Sequence, residues 1–381
     1  MTGSRWIDRP EDLAAAVERW LAADEVCLDT EFVFERTYRP RLGLIQVAAD
    51  DEIALVDPLA AGDLETLAPL LAATSTRKVL HAGAGDVAIL RRATRVPPRP
   101  LLDTQIAAAF AGLGTNLSYA ALVRELAGVE LPKHETRTDW LRRPLSPEQL
   151  RYAAEDVVHL PGVARELERR LVELGRMAWA LEDSATLAEE DFVTDPEEAW
   201  RRVKGIDRLP PFARRVAREL AAWREREAER RDLARPFLLR DETLLALAQR
   251  KTEPTMGEVS KLPGFEARRH AAFAGEWIAA LSAAREAAEA GASADPPRPR
   301  SPLDRERREL LERAVADLVA RRAIELGLPP ELLLSRRQRG RLYAAWDGTA
   351  PLAAPLTGFR RELLGADLDE TATAQLASGG A

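Results

Sequence analysis

Cysteine is almost absent from the sequence, since Cys27 is the single one among 381 residues. An internal disulfide therefore cannot form, and a zinc site built from several cysteines is excluded. Histidine is scarce as well, because only four are present and no two follow the His-x-x-x-His spacing of a helical zinc site. We predict that Cys27 is a small buried residue within a strand.

Long apolar runs are also missing. No stretch of about 18 consecutive apolar residues occurs, so the sequence predicts no membrane span. The N-terminus lacks the charged and then apolar pattern of a secretory signal. The phosphate-binding motif G-x-x-x-x-G-K-[ST] is absent too, which excludes a helicase of that type. We expect a cytoplasmic protein that does not associate with membranes.

Charge is unevenly distributed along the chain, although its net value is -7. Residues 1–195 carry 22 Lys and Arg against 33 Asp and Glu, and residues 196–381 carry 33 against 29. The two halves thus differ in sign, at -11 and +4. An acidic half that gathers cations and a basic half that holds phosphates would fit this split. A larger number of solvated acids on one domain would fit it equally.

The apolar pattern changes from mixed to helical along the chain. Over the first 105 residues, short apolar runs alternate with helical periodicity, which predicts a mixed sheet flanked by helices. Later residues show helical patterns only, interrupted by an acidic linker at residues 183–198 and a Pro-rich linker at residues 289–302. The predicted domains cover residues 1–182, 199–288 and 303–373, followed by a tail at residues 374–381.

Two acids, Asp29 and Glu31, follow the apolar residues 26–28 one residue apart. In a strand, residues two apart project from the same face, so the carboxylates would lie side by side. Like charges this close oppose each other's ionisation, and a positive group between them would relieve the repulsion. A buried Lys or Arg or a metal ion could provide that charge. Solvated charges at the edge of a sheet remain the alternative.

Three further residues could share this chemistry. Asp86 follows a predicted strand and opens a helix, where α/β folds often bind ligands and where Asp also caps helices. Tyr152 and Asp156 lie one turn apart on a predicted helix, as an ordinary amphipathic pair also would. During phosphodiester hydrolysis, negative charge develops on the attacking and on the leaving oxygen. Two divalent ions held by carboxylates can stabilise the charge on both. The predicted ligands for two Mg²⁺ or Mn²⁺ ions are Asp29, Glu31, Asp86 and Asp156, and the predicted holder of the attacking water is Tyr152.

The motifs around these residues resemble a known family. LDTEF at residues 28–32, HAGAGD at residues 81–86 and YAAED at residues 152–156 resemble, in order, the three motifs of DEDD-type 3′→5′ exonucleases. The sequence between them is similar specifically to ribonuclease D. The similar stretches include LLDTQIAAAF at residues 101–110 and KHETRTDWLRRPLSPEQL at residues 133–150.

This resemblance spans residues 24–165 and implies an RNase H-like fold that removes nucleotides one at a time from RNA 3′ ends. It implies the same roles for the four acids and Tyr152 in catalysis. It also places Thr30 at the sugar and Phe32 at the base of the terminal nucleotide. The other substrate contacts that it suggests are His81, Gln105, Lys133 and Trp140.

The helical half resembles a second module. Residues 220–265 are similar to an HRDC domain, the helical module that ribonuclease D shares with RecQ-type helicases. The expected fold is therefore an α/β RNase H-like exonuclease domain followed by two all-α HRDC-like domains, the second diverged. Residues 201–235 carry 12 Lys and Arg against 6 Asp and Glu, which suits RNA binding or a solvated face with internal ion pairs.

These expectations favour a metal-dependent 3′→5′ exoribonuclease that trims structured RNA, notably the 3′ ends of tRNA precursors, as a monomer. A DNA 3′→5′ exonuclease is one alternative, because the acids themselves do not read the sugar. A non-catalytic RNA-binding scaffold is another, although such a protein would be expected to lack one of the four acids. A helicase accessory factor that acts through the helical modules is the third.

Overall fold

The computed structural model describes residues 3–132, 138–189, 194–290, 305–346 and 350–377. These residues fall into two compact units. Unit 1 contains the described parts of residues 1–31, 43–190 and 297–381, and unit 2 contains those of residues 32–42 and 191–296. The chain therefore passes from unit 1 to unit 2 after Glu31 and returns to unit 1 at Gly43.

Six strands in the described residues form one mixed sheet. They are β1 (Arg5–Ile7), β2 (Glu25–Val33), β3 (Arg41–Ala49), β4 (Glu52–Val56), β5 (Arg77–Leu80) and β6 (Leu101–Asp103). The strand order is β1-β4-β3-β2-β5-β6. Strand β4 pairs antiparallel with β3 and parallel with β1, and β5 pairs parallel with β2 and β6. The predicted mixed sheet is confirmed, and β2, which carries the first acidic motif, lies in its interior.

Helices α1 to α8 follow and flank these strands in unit 1. They are α1 (Pro10–Trp20), α2 (Ala68–Ala72), α3 (Ala84–Thr94), α4 (Thr104–Phe110), α5 (Tyr119–Ala127), α6 (Pro147–Val158), α7 (Leu160–Glu173) and α8 (Met177–Ala185). Asp103, Ser118 and Ser146 precede α4, α5 and α6, and each side chain accepts a hydrogen bond from a first-turn amide. These caps are short-range signals, so the starts of the three helices follow from local sequence.

Unit 2 is helical. Its helices are α9 (Pro211–Arg231), α10 (Arg235–Leu238), α11 (Asp241–Ala248), α12 (Met256–Val259), α13 (Ala267–His270) and α14 (Ala274–Glu289). The core contains Leu220 of α9, Leu244 of α11 and Trp277 of α14. Residues 32–42, which connect β2 to β3, also belong to this unit, where Tyr38 packs against α9 and α10.

The C-terminal helices pack within unit 1. They are α15 (Arg305–Leu326), α16 (Pro330–Leu333), α17 (Arg336–Ala345) and α18 (Gly358–Ala377). Phe359 at the start of α18 contacts Phe110 of α4 edge-on, with ring centroids 5.6 Å apart, and stacks on Trp179 of α8 at 5.3 Å. Arg360 pairs with Asp183, at 2.8 Å between Nη2 and Oδ2. The C-terminal segment therefore shares one hydrophobic core with the α/β part of the chain.

Candidate active site

Asp29 and Glu31 lie on the same face of β2, because residues two apart along a strand project to the same side. Helix α6 brings a third acid, Asp156, to that face. One carboxylate oxygen from each of these three residues lies within 4.8 Å of the other two. Oxygens this close together can ligate one divalent cation.

Asp86 joins these acids from the first turn of α3. The Thr30 hydroxyl donates a hydrogen bond to Asp86 Oδ1. Burial and then the charge of Asp86 raise the pKa of Asp29 well above its usual range. The N-cap of α3 is Gly83, so Asp86 does not have the capping role that was its alternative interpretation. The structure thus brings all four predicted acids to one site.

The loop that positions α3 is held by Asp103. Its Oδ2 accepts a hydrogen bond from the Gly83 amide at 2.8 Å, while its Oδ1 accepts from the amides of Gln105 and Ile106 at 2.8 and 3.1 Å. A Cβ at position 83 would lie 2.7 Å from Leu80 Cβ, so this close approach requires glycine. Asp103 is not among the residues predicted from the sequence, although an Asp between a strand and a helix is a recognisable N-cap signal.

Helix α6 begins with a capping box that sets its register. Ser146 Oγ accepts from the Gln149 amide at 3.2 Å, and Gln149 Oε1 accepts from the Ser146 amide at 2.9 Å. Tyr152 and Asp156 follow on one helix face, and the charge of Asp156 is the largest cause after burial that raises the pKa of the Tyr152 hydroxyl. The ring of Trp140 lies 6.1 Å from that of Tyr152 and restricts its movement.

The acids hold their protons unusually tightly. Burial, followed by the charges of Asp156 and Asp86, raises the pKa of Glu31 to about 8. Burial raises the pKa of Asp86 to about 6, although the hydrogen bond from Thr30 opposes this change. Burial and the nearby carboxylates also raise the pKa of Tyr152, so its hydroxyl stays protonated at neutral pH.

The set of ligands suits a hard divalent cation. Within the described ranges, Asp29, Glu31 and Asp86 form no ion pair with an Arg or Lys side chain, so a buried basic residue does not balance their charge there. Mg²⁺ and Mn²⁺ prefer carboxylate oxygens, and this cluster offers carboxylates on adjacent elements. A cation would also relieve the repulsion that raises the pKa values of these acids. The residues present therefore fit such an ion.

His81 and Gln105, two predicted substrate contacts, both reach the same backbone carbonyl. His81 Nδ1 lies 2.9 Å from Thr104 Oγ1, and its Nε2 lies 3.1 Å from the carbonyl oxygen of Leu117. Gln105 Nε2 donates to that oxygen at 2.9 Å. These side chains consequently hold the segment that leads into α5.

The other predicted substrate contacts lie in different surroundings. Thr30 is buried on β2, where its hydroxyl is engaged by Asp86. Phe32 follows Glu31 on the same strand, and its ring centroid lies 6.0 Å from that of Phe34. Trp140 is buried against Tyr152. Lys133 lies outside the described residues.

Two further side chains at the site are absent from the sequence-based prediction. Gln46 of β3 is fully buried, and its Nε2 donates to Asp29 Oδ2 at 3.4 Å. Tyr119, at the start of α5, has its ring 5.6 Å from that of His81, and burial followed by the charge of Asp156 raises the pKa of its hydroxyl. A glutamine inside the apolar run LGLIQVAA is a signal that could have revealed Gln46, because buried polar residues need partners.

Comparison with known proteins matches both parts of the chain. The family described as 3′-5′ exonuclease matches residues 4–172, and the HRDC domain family matches residues 213–281. Ribonuclease D of Pseudomonas paraeruginosa is 38% identical over 366 residues, which cover 95% of each chain. Ribonuclease D of Serratia proteamaculans is 37% identical over 353 residues, covering 91% of this chain and 92% of that relative. The crystal structure of Escherichia coli RNase D, an exoribonuclease involved in structured RNA processing, matches with a TM-score of 0.84 and 32% identity, covering 98% of this chain and 99% of that chain.

Proposed function

The chain belongs to the ribonuclease D family and is a 3′→5′ exoribonuclease, and we propose that it cleaves at the acids of the candidate active site with the help of two divalent metal ions. The observation that carries this proposal is the approach of the Asp29, Glu31 and Asp156 carboxylates to within 4.8 Å of one another. When bound, Mg²⁺ or Mn²⁺ supplies charge stabilisation for the attacking and the leaving oxygen of the phosphodiester.

We assign the metal ligands to Asp29, Glu31, Asp86 and Asp156. Thr30 and Gln46 orient two of these ligands, because they donate hydrogen bonds to Asp86 and Asp29. Such bonds keep the carboxylates from rotating when the substrate binds, and they reduce the reorganisation that hydrolysis requires.

Tyr152 orients the attacking water in this proposal. Its raised pKa keeps the phenol protonated at neutral pH, so the side chain can hold water by a hydrogen bond but cannot remove its proton as a base. The Trp140 ring, with its centroid 6.1 Å from that of Tyr152, and the neighbouring Asp156 carboxylate surround this side chain. The terminal nucleotide would meet Thr30 through its sugar and Phe32 through its base, with His81, Gln105, Lys133 and Trp140 as further contacts.

We propose structured RNA with a free 3′ end, notably tRNA precursors, as the substrate. The description of the E. coli relative and the HRDC match at residues 213–281 support this assignment. Residues 303–373 remain a proposed second HRDC-like domain, and the domain boundaries predicted from the sequence remain part of this proposal. Among the described helices, none is both long and apolar enough to cross a membrane. Action as a monomer in the cytoplasm stays a prediction.

The decisive experiment uses 5′-labelled single-stranded RNA and the matched DNA, each with Mg²⁺, Mn²⁺ or EDTA. We expect a ladder that shortens from the 3′ end of the RNA and is abolished by EDTA and by Asp29→Asn. The Asp29→Asn variant should still bind RNA, because it removes a metal ligand and leaves the fold intact. Shortening of DNA alone would indicate the DNA exonuclease. RNA binding by the wild-type protein without shortening would indicate the scaffold.

A further inference from the structure

The segment of residues 138–146, which leads into α6, is held from two sides within unit 1. We call it the lead-in segment. From α6, Gln149 Nε2 donates to Thr138 Oγ1 at 3.0 Å, while Gln149 Oε1 accepts from the Ser146 amide at 2.9 Å. On the other side, the Arg143 side chain reaches from the lead-in segment to the sheet. Arg143 is not among the residues assigned to the active site.

We infer that Arg143 is a positioning residue for the exonuclease reaction, because it fixes the Trp140 backbone and thereby the place of the Tyr152 side chain. This inference rests on the proposed function, since it depends on the assignment of the attacking water to Tyr152. Arg143 acts on the reaction through these two aromatic residues and has no role of its own in the chemical step.

The Arg143 guanidinium joins the lead-in segment to strand β3. Its Nη1 donates to the carbonyl of Trp140 at 2.9 Å, and its Nη2 donates to the carbonyl of Gly43 at 2.7 Å. A Cβ at position 43 would lie 2.7 Å from both the Cβ and the carbonyl oxygen of Trp140, so this close approach requires glycine. One planar group therefore holds the Trp140 backbone directly against the sheet.

The guanidinium is itself fixed by Asp57, the residue that follows β4. Arg143 Nε donates to Asp57 Oδ2 at 2.7 Å and Nη2 donates to Oδ1 at 2.6 Å, which is the strong bidentate geometry. Asp57 is 4% exposed, its amide donates to the carbonyl of Ile7 in β1 at 2.8 Å, and its Oδ1 also accepts from the Leu59 amide at 2.9 Å. The sheet thus determines where the Asp57 carboxylate lies, and the carboxylate determines where the guanidinium lies.

Trp140 transmits this position to Tyr152. The indole is buried, and its ring centroid lies 6.1 Å from that of Tyr152, with the ring planes tilted by 36°. Closely packed interiors transmit displacements, so a shift of the Trp140 backbone changes the space that is left for the phenol. A catalytic group misplaced by about 1 Å can lower a rate about 100-fold. Loss of the Arg143 bonds should therefore appear in kcat.

Lysine cannot reproduce this arrangement. Arg143 uses three nitrogens to reach two carbonyls and both oxygens of one carboxylate, whereas the three donors of an ammonium lie on a single atom. Arg143→Lys therefore keeps a positive charge opposite Asp57 and releases the Trp140 backbone. The matched control is Arg77→Lys, because the Arg77 side chain is 21% exposed against 24% for Arg143 and also binds carboxylates, those of Glu25 and Glu168.

The test measures steady-state cleavage of 5′-labelled single-stranded RNA with Mg²⁺ by Arg143→Lys, by Tyr152→Phe and by the double variant. In Arg143→Lys we expect kcat to fall about tenfold and KM to change less than about twofold. In the Tyr152→Phe background the same change should lower kcat less than about twofold, because the group on which Arg143 acts is already incomplete. Arg77→Lys should leave kcat unchanged in both backgrounds.

A spectroscopic measurement follows the same connection without catalysis. The chain has four tyrosines, so labelling with 3-fluorotyrosine gives four ¹⁹F resonances, and Tyr152→Phe identifies that of Tyr152. In EDTA, Arg143→Lys should shift this resonance and leave those of Tyr38 and Tyr343 in place. Arg77→Lys should leave the Tyr152 resonance where it is.

Asp57→Asn provides a second variant if Arg143→Lys does not fold, because it keeps the shape of the side chain and weakens the bidentate pair. It should give a smaller loss of kcat that also depends on Tyr152, and it should shift the same resonance.

An equal loss of kcat from Arg143→Lys in both backgrounds would overturn the inference, because the loss would not depend on Tyr152. An unmoved Tyr152 resonance would overturn it too, and so would a rise in KM at unchanged kcat. A wild-type protein that cleaves no RNA would refute the proposed function, and a Tyr152 resonance that still shifts in Arg143→Lys would leave the connection between these two residues intact.

Discussion

Glu31, one of the proposed metal ligands, opposes the stability of the metal-free protein. Its pKa rises from 4.5 to about 8 in the folded protein, because of burial and the charges of Asp156 and Asp86. The folded chain therefore binds more protons than the unfolded chain between these pH values. The contribution of Glu31 to the free energy of unfolding of the metal-free protein therefore falls as the pH rises from about 4.5 to about 8. Metal ions compete with these protons, so metal affinity should increase over the same range.

Glu31→Gln should stabilise the metal-free protein at pH 8 on the order of 2 kcal/mol, because it replaces a repelled charge by a neutral amide of the same shape. At pH 5 the wild-type side chain already holds its proton, so little gain is expected. Urea unfolding in EDTA at both pH values measures this difference, and Glu11→Gln on the exposed face of α1 is the control. An equal gain at both pH values would contradict this account. RNA hydrolysis with Mg²⁺ should be lost in the Glu31 variant.

Tyr152→Phe removes one hydroxyl and leaves every carboxylate in place. If that hydroxyl orients the attacking water, kcat should fall about 10- to 100-fold while KM changes little. The matched control is Tyr343→Phe, which removes a hydroxyl from the C-terminal helix α17. Steady-state kinetics on single-stranded RNA provides the measurement. A rate equal to that of the wild type would exclude this role for Tyr152.

Asp103 connects helices α3 and α4. Its carboxylate accepts hydrogen bonds from a backbone amide of the loop before α3 and from two backbone amides in the first turn of α4. Asp103→Ala should cost about 2–3 kcal/mol of stability, and it should also lower kcat, because α3 carries Asp86. Asp63→Ala, which removes a surface cap with a single bond to the Glu65 amide, should reduce stability less and leave kcat unchanged. Thermal unfolding and kinetics together distinguish these outcomes. A loss of stability without a loss of kcat would show that Asp86 does not depend on this connection.

At the scale of the whole molecule, the C-terminal helices complete the core of unit 1. Phe359 is buried between Phe110 and Trp179, so its contacts join α18 to α4 and α8. Phe359→Ala should lower the free energy of unfolding by about 3–5 kcal/mol, as cavity-forming changes of this size do. Ile324→Ala, at an exposed position of α15, should change it by less than about 0.5 kcal/mol. Urea unfolding followed by tryptophan fluorescence makes the comparison, and equal effects of the two changes would show that this packing contributes no stability.

The sequence alone determined the type of the local secondary structure and which functional residues share one face of a strand or helix. Alternation with a period of two sets the shared face of Asp29 and Glu31, and helical spacing sets that of Tyr152 and Asp156. Cys27 lies buried in β2, as its surroundings in the sequence predict. All these features depend on residues within a few positions of one another.

Only the tertiary structure decided which distant residues meet. Three residues at the site interact with partners that lie 17 to 37 positions away in the sequence: Gln46 with Asp29, Asp103 with Gly83, and Tyr119 with Asp156. No helical or strand periodicity relates residues this far apart. The same holds for the segment of residues 32–42, which follows β2 and joins the helical unit through Tyr38 and Glu225, 187 positions apart. Packing of α18 on α4 and α8 is likewise independent of local pattern, because a buried phenylalanine can pack against any apolar surface that has the complementary shape.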